Sequence, residues 1–254
     1  SLSQEAKNAL ANQRITEFKE QNKQQIELQT QQISEQFKAN YKDPEGNVYL
    51  PDLDTYYYLR QAENVLDHGH IGDSLRDGEP WDDFTVAPIG RDVDPNLHPY
   101  VIASLYKVLD IFGNPRVEDA MFLLPVLLAA LSTIPTFLIA RKIGGNTAGL
   151  FAASLLAISA PFLGRTGAGF ADTDIYNVFF PVTVLWLFIE SMTAKTNKNK
   201  IIFGSLSGIA LGLYAFTWPG WWYLLDLVIG AAGLYALYLI FLSRKNIKNV
   251  YKTI

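Results

Sequence analysis

Apolar residues are concentrated in the second half of the chain. From residue 121 to residue 242, charged side chains are nearly absent from long apolar runs. A helix of about 20 apolar residues crosses the roughly 30 Å of hydrocarbon in a bilayer. Five runs approach that length, at residues 121–140, 147–163, 175–192, 201–217 and 221–242. The pattern predicts an all-α, polytopic membrane helix bundle, in which the prolines inside several runs are tolerated.

The first 120 residues are instead rich in Gln, Asn, Asp, Glu and Lys. Apolar periodicity in this half predicts helices at residues 5–41, 54–67 and 99–112. The second of these ends at Gly69, and the stretch at 72–99 has the composition of loops. We predict three regions: a large helical first external loop region at 1–120, about five membrane helices at 121–243, and a cytoplasmic basic segment at 244–254.

Positive charges alternate between the loops that join the apolar runs. Lys and Arg follow the first, third and fifth runs, which predicts that the loops at 141–146, 194–200 and 244–252 are cytoplasmic. The loops at 164–174 and 218–222, together with residues 1–120, are then external. A translocated segment of that length needs a preceding span, so we expect both ends to be cut from a longer protein. The prediction is a multi-pass integral protein of the cell membrane.

Overall composition excludes some functions. The 49% hydrophobic content averages a polar half with a membrane half. A net charge of -4, with no basic aromatic groove, argues against a nucleic-acid partner. The 0 cysteines exclude a disulfide scaffold and thiolate metal sites.

The most informative chemistry is an acidic pair, Asp172 and Asp174, that follows Arg165 between two apolar runs. Carboxylates at the edge of a membrane span are energetically unfavourable, so their presence there indicates a functional role. Two of them one residue apart can share a divalent cation, which would stabilise a phosphate leaving group. The alternative is ordinary capping of a helix N-terminus, which also favours aspartate. Both interpretations stay open.

A second acidic cluster contains Asp54 and precedes three tyrosines at the start of a predicted helix. Capping is again the alternative, but the predicted topology places Asp54 on the same side as Asp172. Carboxylates from two segments can complete an oxygen shell for Mg²⁺ or Mn²⁺. We interpret His68 and His70 as a surface turn and Asp226 as an acid that reaches the headgroups. Gly204, Gly208 and Gly212 predict close helix packing.

Three segments carry a resemblance to a known family. They are Asp54-Thr55-Tyr56-Tyr57-Tyr58-Leu59-Arg60, Ala87-Pro88-Ile89-Gly90-Arg91, and Arg165-Thr166-Gly167 through Asp172-Thr173-Asp174. The chain resembles the catalytic subunit of oligosaccharyltransferase in its archaeal form, whose fold is that of a class C glycosyltransferase. The resemblance covers most of residues 52–222, and Thr217-Trp218-Pro219-Gly220 resembles a Thr-Trp-x-Gly stretch of the family.

The resemblance implies roles for four residues. Asp54 matches a metal ligand that also contacts the acceptor asparagine, and Asp172 and Asp174 match the acidic pair that holds Mn²⁺ or Mg²⁺ directly or through water. Arg165 matches an arginine near the donor. The implied reaction transfers a glycan from a lipid-linked dolichyl phosphate or pyrophosphate donor to Asn of Asn-x-Ser/Thr, with the active site on the external face.

Two features of the family are missing from these residues. A further catalytic glutamate and a Trp-Trp-Asp motif lie beyond residue 254 in the longer family chains. We therefore expect residues 1–254 to be inactive alone and to need an acceptor protein, a lipid-linked oligosaccharide, a membrane and the rest of the site.

Three other functions remain as alternatives. A protein mannosyltransferase also uses lipid phosphosugars, but the second acidic pair with its arginine argues against it. An ion-coupled transporter predicts acids near the midplane of several spans, whereas only Glu190 and Asp226 lie inside one. A non-catalytic scaffold would not need acids on two external loops.

Overall fold

The computed structural model describes residues 4–241 and divides the chain into two compact units, Ser1–Tyr49 and Leu50–Ile254. The predicted basic segment at 244–254 and the last residue of the fifth predicted run lie outside the described residues. In the first unit, α1 (Gln4–Gln21) and α2 (Lys23–Asn40) replace the single predicted helix. The break is at Asn22, whose φ and ψ of -109° and 15° are not helical.

The polar part of the second unit begins with α3 (Leu53–His68) and ends with α4 (His98–Asp110). Gly69 ends α3 in the left-handed conformation, as predicted, with φ of 81°. Between these helices the predicted loops contain three short strands, β1 (Ser74–Arg76), β2 (Glu79–Asp82) and β3 (Arg91–Asp92). They form an antiparallel sheet in the order β1-β2-β3, with Ser74 opposite Trp81.

A buried ion-pair network attaches this sheet to α3. Arg60 contacts Asp82 at 3.0 Å and Asp73 at 3.2 Å. Asp82 is 2% exposed, and burial alone would raise its pKa. Hydrogen bonds from Thr85 and Phe84, together with the Arg60 charge, outweigh burial and lower the Asp82 pKa to about 2. The carboxylate therefore stays ionised and fixes the sheet to the helix.

Within the described residues, the apolar part contains five helices. They are α5 (Val117–Ala157), α6 (Ala160–Thr166), α7 (Tyr176–Thr193), α8 (Asn197–Ala215) and α9 (Trp222–Phe241), with a 3₁₀ turn at Thr173–Ile175 before α7. Three described segments are long and apolar enough to cross a membrane: Val117–Ala157, Thr173–Thr193 and Trp222–Ile240. The 41 residues of α5 would extend about 60 Å as one straight helix. Non-helical Gly144 and Gly145 interrupt it inside the predicted loop at 141–146.

The core packs α7 against α5 and α8. Ser207 of α8 donates a hydrogen bond of 3.0 Å to the Val184 carbonyl of α7. Glu190, the acid inside the third predicted run, pairs with Lys142 of α5 at 2.7 Å. Gly204 faces Ser191 closely, since an added Cβ would lie 3.1 Å from its Oγ. A Cβ added at Gly208 or Gly212 would meet no described atom within 4 Å, so of the three glycines only Gly204 packs tightly against a described neighbour.

Candidate active site around Asp172

The loop that carries Asp172 is shaped by Gly169. This glycine has a left-handed φ of 87°, which side chains rarely adopt. A Cβ added there would lie 2.7 Å from Phe122 and 2.9 Å from Pro51. The loop therefore passes tightly between α5 and the segment before α3, and only glycine allows this path.

Asp172 lies half-buried at the end of this loop. Its carboxylate accepts a 2.5 Å hydrogen bond from the Thr173 backbone N–H, so it caps the 3₁₀ turn. Burial raises the pKa of Asp172, and the negative charges of Asp174 and Asp54 raise it further. The capping interpretation is therefore correct for Asp172, but capping does not account for its position among other carboxylates. We name Asp54, Asp172 and Asp174 the acidic cluster.

Arg165 forms an ion pair with Asp174, at 3.1 Å between Nη1 and Oδ2. The side chains are 64% and 37% exposed, and such pairs contribute only about 0–1 kcal/mol to stability. The ion pair therefore positions the two charged side chains while adding little to stability. The predicted place of Arg165 near a donor stays a prediction.

Asp54 is exposed in the first turn of α3. The residue at the N-cap is Asp52, and its side chain makes no capping hydrogen bond. One turn later, burial raises the pKa of the Tyr58 hydroxyl to about 12, and the Asp172 charge adds to this effect. The neighbouring Thr173 side chain acts in the opposite direction and lowers the pKa of this hydroxyl. These couplings show that α3 faces the Asp172 loop across Tyr58.

A buried histidine that the sequence analysis did not select holds this arrangement together. His98, at the start of α4, is fully buried. Its Nε2 lies 2.9 Å from the Ala171 carbonyl and its Nδ1 lies 3.0 Å from the Tyr176 hydroxyl. The carbonyl can only accept, so Nε2 carries the proton and Tyr176 donates to Nδ1. The Tyr58 ring packs edge-on against the imidazole at 4.8 Å.

His98 therefore connects α3, α4, the Asp172 loop and α7. Burial lowers its pKa to about 4, against the smaller opposing effect of the Ala171 carbonyl, so the ring is neutral at physiological pH. No sequence signal marks this role, because His98 stands alone beside a proline and its partners lie 73 and 78 residues later.

The acidic cluster supplies oxygen ligands of the kind that Mg²⁺ and Mn²⁺ prefer. Within residues 4–241, however, no three His, Cys, Asp or Glu side chains are arranged to hold a metal ion. Asp174 is also engaged with Arg165. The described residues therefore fit a metal in donor type, and they do not complete a site by themselves.

The remaining candidates lie apart from this chemistry. The His68 and His70 rings stack at 5.6 Å, in agreement with a turn at the end of α3. Asp226 is exposed in the second turn of α9. The other acid inside an apolar run, Glu190, is paired with Lys142. Neither Asp226 nor Glu190 therefore supports an ion pathway.

Comparison with known proteins decides the family. A sequence profile described as oligosaccharyl transferase STT3, N-terminal, matches residues 25–253. The chain belongs to this family. The dolichyl-phosphooligosaccharide-protein glycotransferase of Methanococcus voltae is 35% identical to this STT3 chain over 213 residues, which cover 81% of the chain and 23% of that protein. The protein of the same name from Methanocaldococcus jannaschii is 33% identical over 180 residues, covering 68% of the chain and 19% of that protein.

Solved structures show the same fold. The crystal structure of the Archaeoglobus fulgidus oligosaccharyltransferase with Zn and sulfate matches with a TM-score of 0.62 and 22% identity, covering 76% of this chain and 24% of that chain. The structure of AglB from the same organism, with an inhibitory peptide and a dolichol-phosphate, matches with a TM-score of 0.60 and 21% identity, covering 76% and 22%. The predicted fold class and family are confirmed, and the STT3 chain is an integral membrane protein. It spans less than a quarter of the curated relatives described above.

Proposed function

We propose that the STT3 chain supplies part of the active site of an oligosaccharyltransferase. The full-length protein would transfer a glycan from a dolichyl phosphate or pyrophosphate donor to the side-chain amide of Asn in Asn-x-Ser/Thr. The acidic cluster is the observation that carries the proposal. Burial, followed by the negative charges of Asp174 and of Asp54 from a distant segment, raises the pKa of Asp172, and such unfavourable placement is characteristic of functional sites.

Relatives support the substrate classes. Two archaeal relatives are named dolichyl-phosphooligosaccharide-protein glycotransferases, and the AglB structure contains an inhibitory peptide and a dolichol-phosphate. By similarity, the donor of this protein is a lipid-linked glycan and its acceptor is a peptide segment. The charge pattern of the loops supports an external position for the acidic cluster in a multi-pass protein.

The reaction breaks the bond between the anomeric carbon and the phosphate oxygen, and the phosphate leaves with the electron pair. The amide nitrogen of asparagine forms the new bond to that carbon and releases one N–H proton to a carboxylate. The amide is a weak nucleophile because its lone pair is delocalised. Asp54 is exposed in the first turn of α3, so its carboxylate is accessible to accept N–H bonds from the amide and orient it.

We propose Mn²⁺ or Mg²⁺ as the cofactor. Asp54 and Asp172 would bind it directly, Asp174 would act directly or through water, and the remaining ligands would come from residues outside this chain. A bound divalent cation supplies charge stabilisation for a phosphate leaving group. A relative was crystallised with Zn and sulfate, in agreement with a metal site in the family fold.

Substitution of the acidic cluster in the full-length protein tests the proposal. Asp54→Ala or Asp172→Ala should lower the rate of glycan transfer to an Asn-x-Thr peptide at least about a hundredfold, as expected when a charge-stabilising group is lost. Asp174→Ala should have a smaller effect. The matched control is Asp67→Ala, which removes an exposed carboxylate from the last turns of α3.

Metal dependence is tested in the same assay. A chelator should stop transfer, and added Mn²⁺ or Mg²⁺ should restore it. Residues 1–254 alone should transfer no glycan. Normal transfer by Asp172→Ala, with intact folding shown by gel filtration, would exclude the proposed role of the acidic cluster.

A further inference from the structure

A cavity of about 260 Å³ lies between the apolar helices α7, α8 and α9, and we name it the Gly208 cavity. Its apolar wall consists of Val184, Phe188, Met192, Leu211, Val228 and Ala232. The volume is below the roughly 300–1,000 Å³ of typical small-molecule sites. The cavity therefore suits part of one apolar chain rather than a whole ligand.

The cavity is present because α8 has a glycine at this level. A Cβ added at Gly208 would meet no described atom within 4 Å, and the residue is exposed. Only 6% of the apolar span of α9 is buried, against 28% of the span that contains α7. The cavity is therefore open to the side of the helices, where the hydrocarbon of a bilayer surrounds apolar spans.

The hydroxyl groups in the cavity wall are already paired. Ser191 donates a hydrogen bond of 2.8 Å to the Lys200 carbonyl, and Ser207 donates one of 3.0 Å to the Val184 carbonyl. Both hydroxyl protons are thereby used, and the rest of the wall is apolar. Cavities lined in this way stay dry and accept apolar groups. The occupant is therefore a hydrocarbon chain or an apolar side chain.

Three lysines lie close to the cavity, where α7 ends and α8 begins. Lys195 and Lys198 are exposed, and Lys200 is partly exposed. Met192, in the cavity wall, precedes Lys195 by three residues. Gly204 also lines the cavity and follows Lys200 by four residues, which is about 6 Å of helix rise. Positive charge therefore borders the cavity at this end of the helices.

These lysines lack a counter-charge within residues 4–241. None of the three forms an ion pair with a described residue. Glu190 is the acid nearest to them in the sequence, and it is paired with Lys142 at 2.7 Å. Basic side chains at the end of membrane helices attract anionic headgroups. The lysines are therefore available to bind an anion.

The cavity and the lysines together have the arrangement of a phospholipid, in which an anionic phosphate lies directly beyond a hydrocarbon chain. A free phosphate would contact the lysines and leave the cavity empty. Another membrane helix would fill the cavity and leave the lysines without a partner. A phospholipid satisfies both features, and the positive loops assign this end of the helices to the cytoplasmic leaflet.

We propose that the Gly208 cavity and the three lysines form a binding site for an anionic phospholipid of the cytoplasmic leaflet. One hydrocarbon chain occupies the cavity, and the phosphate contacts Lys195, Lys198 and Lys200. The bound chain fills the space that separates α9 from α7 and α8. The inference does not depend on the proposed function, because the site lies at the opposite end of α7 from the acidic cluster.

The test is native mass spectrometry of the full-length protein in detergent, titrated with phosphatidylglycerol or with phosphatidylcholine that carries the same chains. The wild-type protein should bind phosphatidylglycerol at least about tenfold more tightly. Each cation near an anionic headgroup contributes about fivefold, so replacing the three lysines together by glutamine should abolish this preference. Replacing them together by arginine should retain it.

The apolar part is tested at two glycines one turn apart. Gly208→Leu places a side chain in the cavity and should weaken binding of phosphatidylglycerol about fivefold or more, because buried methylene groups of the lipid chain are displaced. Gly212→Leu is the matched control: a Cβ there also meets no described atom within 4 Å, and the residue is not part of the cavity wall. Lys107→Gln, at an exposed lysine of α4, controls for charge and should bind as the wild-type protein does.

Three results would overturn the inference. The first is equal affinity of the wild-type protein for the two lipids. The second is loss of binding in the glutamine variant with no change in Gly208→Leu, which would show that the lysines bind an anion alone, and inorganic phosphate would then displace the lipid. The third is unchanged lipid binding in Gly208→Leu together with a melting temperature below that of Gly212→Leu. That result would assign the cavity to another helix of the full-length protein.

Discussion

Replacing His98 by phenylalanine tests how the Asp172 loop is held. Phenylalanine keeps an aromatic ring of similar size against Tyr58 and removes both ring nitrogens. The Ala171 carbonyl and the Tyr176 hydroxyl then lose their partners, and both residues are buried, with 0% and 2% exposure. Each unpaired buried group costs about 1–3 kcal/mol, so His98→Phe should lower stability by about 2–6 kcal/mol at pH 8.

The pH dependence gives a second, independent magnitude. In the folded protein the pKa of His98 is about 4, whereas an unfolded histidine has a pKa of about 6.5. Above pH 6.5 both states are neutral and His98 has no pH effect. As the pH falls from 6.5 to 4, the unfolded state binds a proton that the folded state refuses, so folding is weakened. The difference of about 2.5 pKa units corresponds to about 3 kcal/mol.

Asp172 acts in the opposite direction. Its pKa is raised in the folded state, so its ionised form disfavours folding, and acidification relieves this effect. Asp172 is present in both the wild-type protein and His98→Phe. The difference between their two pH profiles therefore isolates His98.

The assay is thermal unfolding of the detergent-solubilised full-length protein, followed by tryptophan fluorescence from pH 8 to pH 4.5. Wild-type protein should lose more stability than His98→Phe over this range, and His98→Phe should be less stable at pH 8 with reduced kcat. His68→Phe, at an exposed histidine on α3, is the matched control and should change neither property. Parallel pH profiles for wild type and His98→Phe would refute the reasoning.

Two further substitutions test the fold around the site. Gly169→Ala should destabilise the full-length protein by more than about 1 kcal/mol and reduce transfer, because the left-handed φ and the contacts of the added Cβ both disfavour alanine. The control is Gly164→Ala, where the added Cβ meets nothing, and it should be neutral or slightly stabilising. Equal melting temperatures for the two variants would contradict the proposed role of Gly169. Lys142→Ala and Glu190→Ala should each lower stability, and a double-mutant cycle should give a coupling of about 0.5–3 kcal/mol. Additive effects in that cycle would show that the 2.7 Å ion pair does not join α5 to α7.

The helical architecture could be predicted because apolar runs and helix-ending signals act locally. Gly69 ends α3 where the sequence predicts it, and the break at Gly144 and Gly145 falls within a predicted loop. The strands were missed because they contain only two to four residues each. The Asp77-Gly78 pair at the first hairpin, with both φ values positive, was the available signal.

The residue types alone identify the acidic cluster as a candidate site, but they do not predict the contacts that its side chains make. Coupling of Asp172 to Asp54 follows from the predicted topology, whereas the Arg165–Asp174 pair and the His98 contacts depend on how distant segments dock. Sequence spacing predicts neighbours within one helix. It gives no information on a partner that lies 73 residues later on another element.

The contacts of His98 also impose an order on biosynthesis. Tyr176 leaves the ribosome 78 residues after His98, which at about 5–20 residues per second means a delay of roughly 4–16 s. The neighbouring Leu97 waits longer still, because its backbone N–H bonds the Phe216 carbonyl at 2.8 Å. During that interval α4 is already made but lacks the helices that bury its polar groups. The segment must therefore stay soluble and unaggregated until α7 and α8 have been inserted, and a chain that stops before them cannot assemble the acidic cluster.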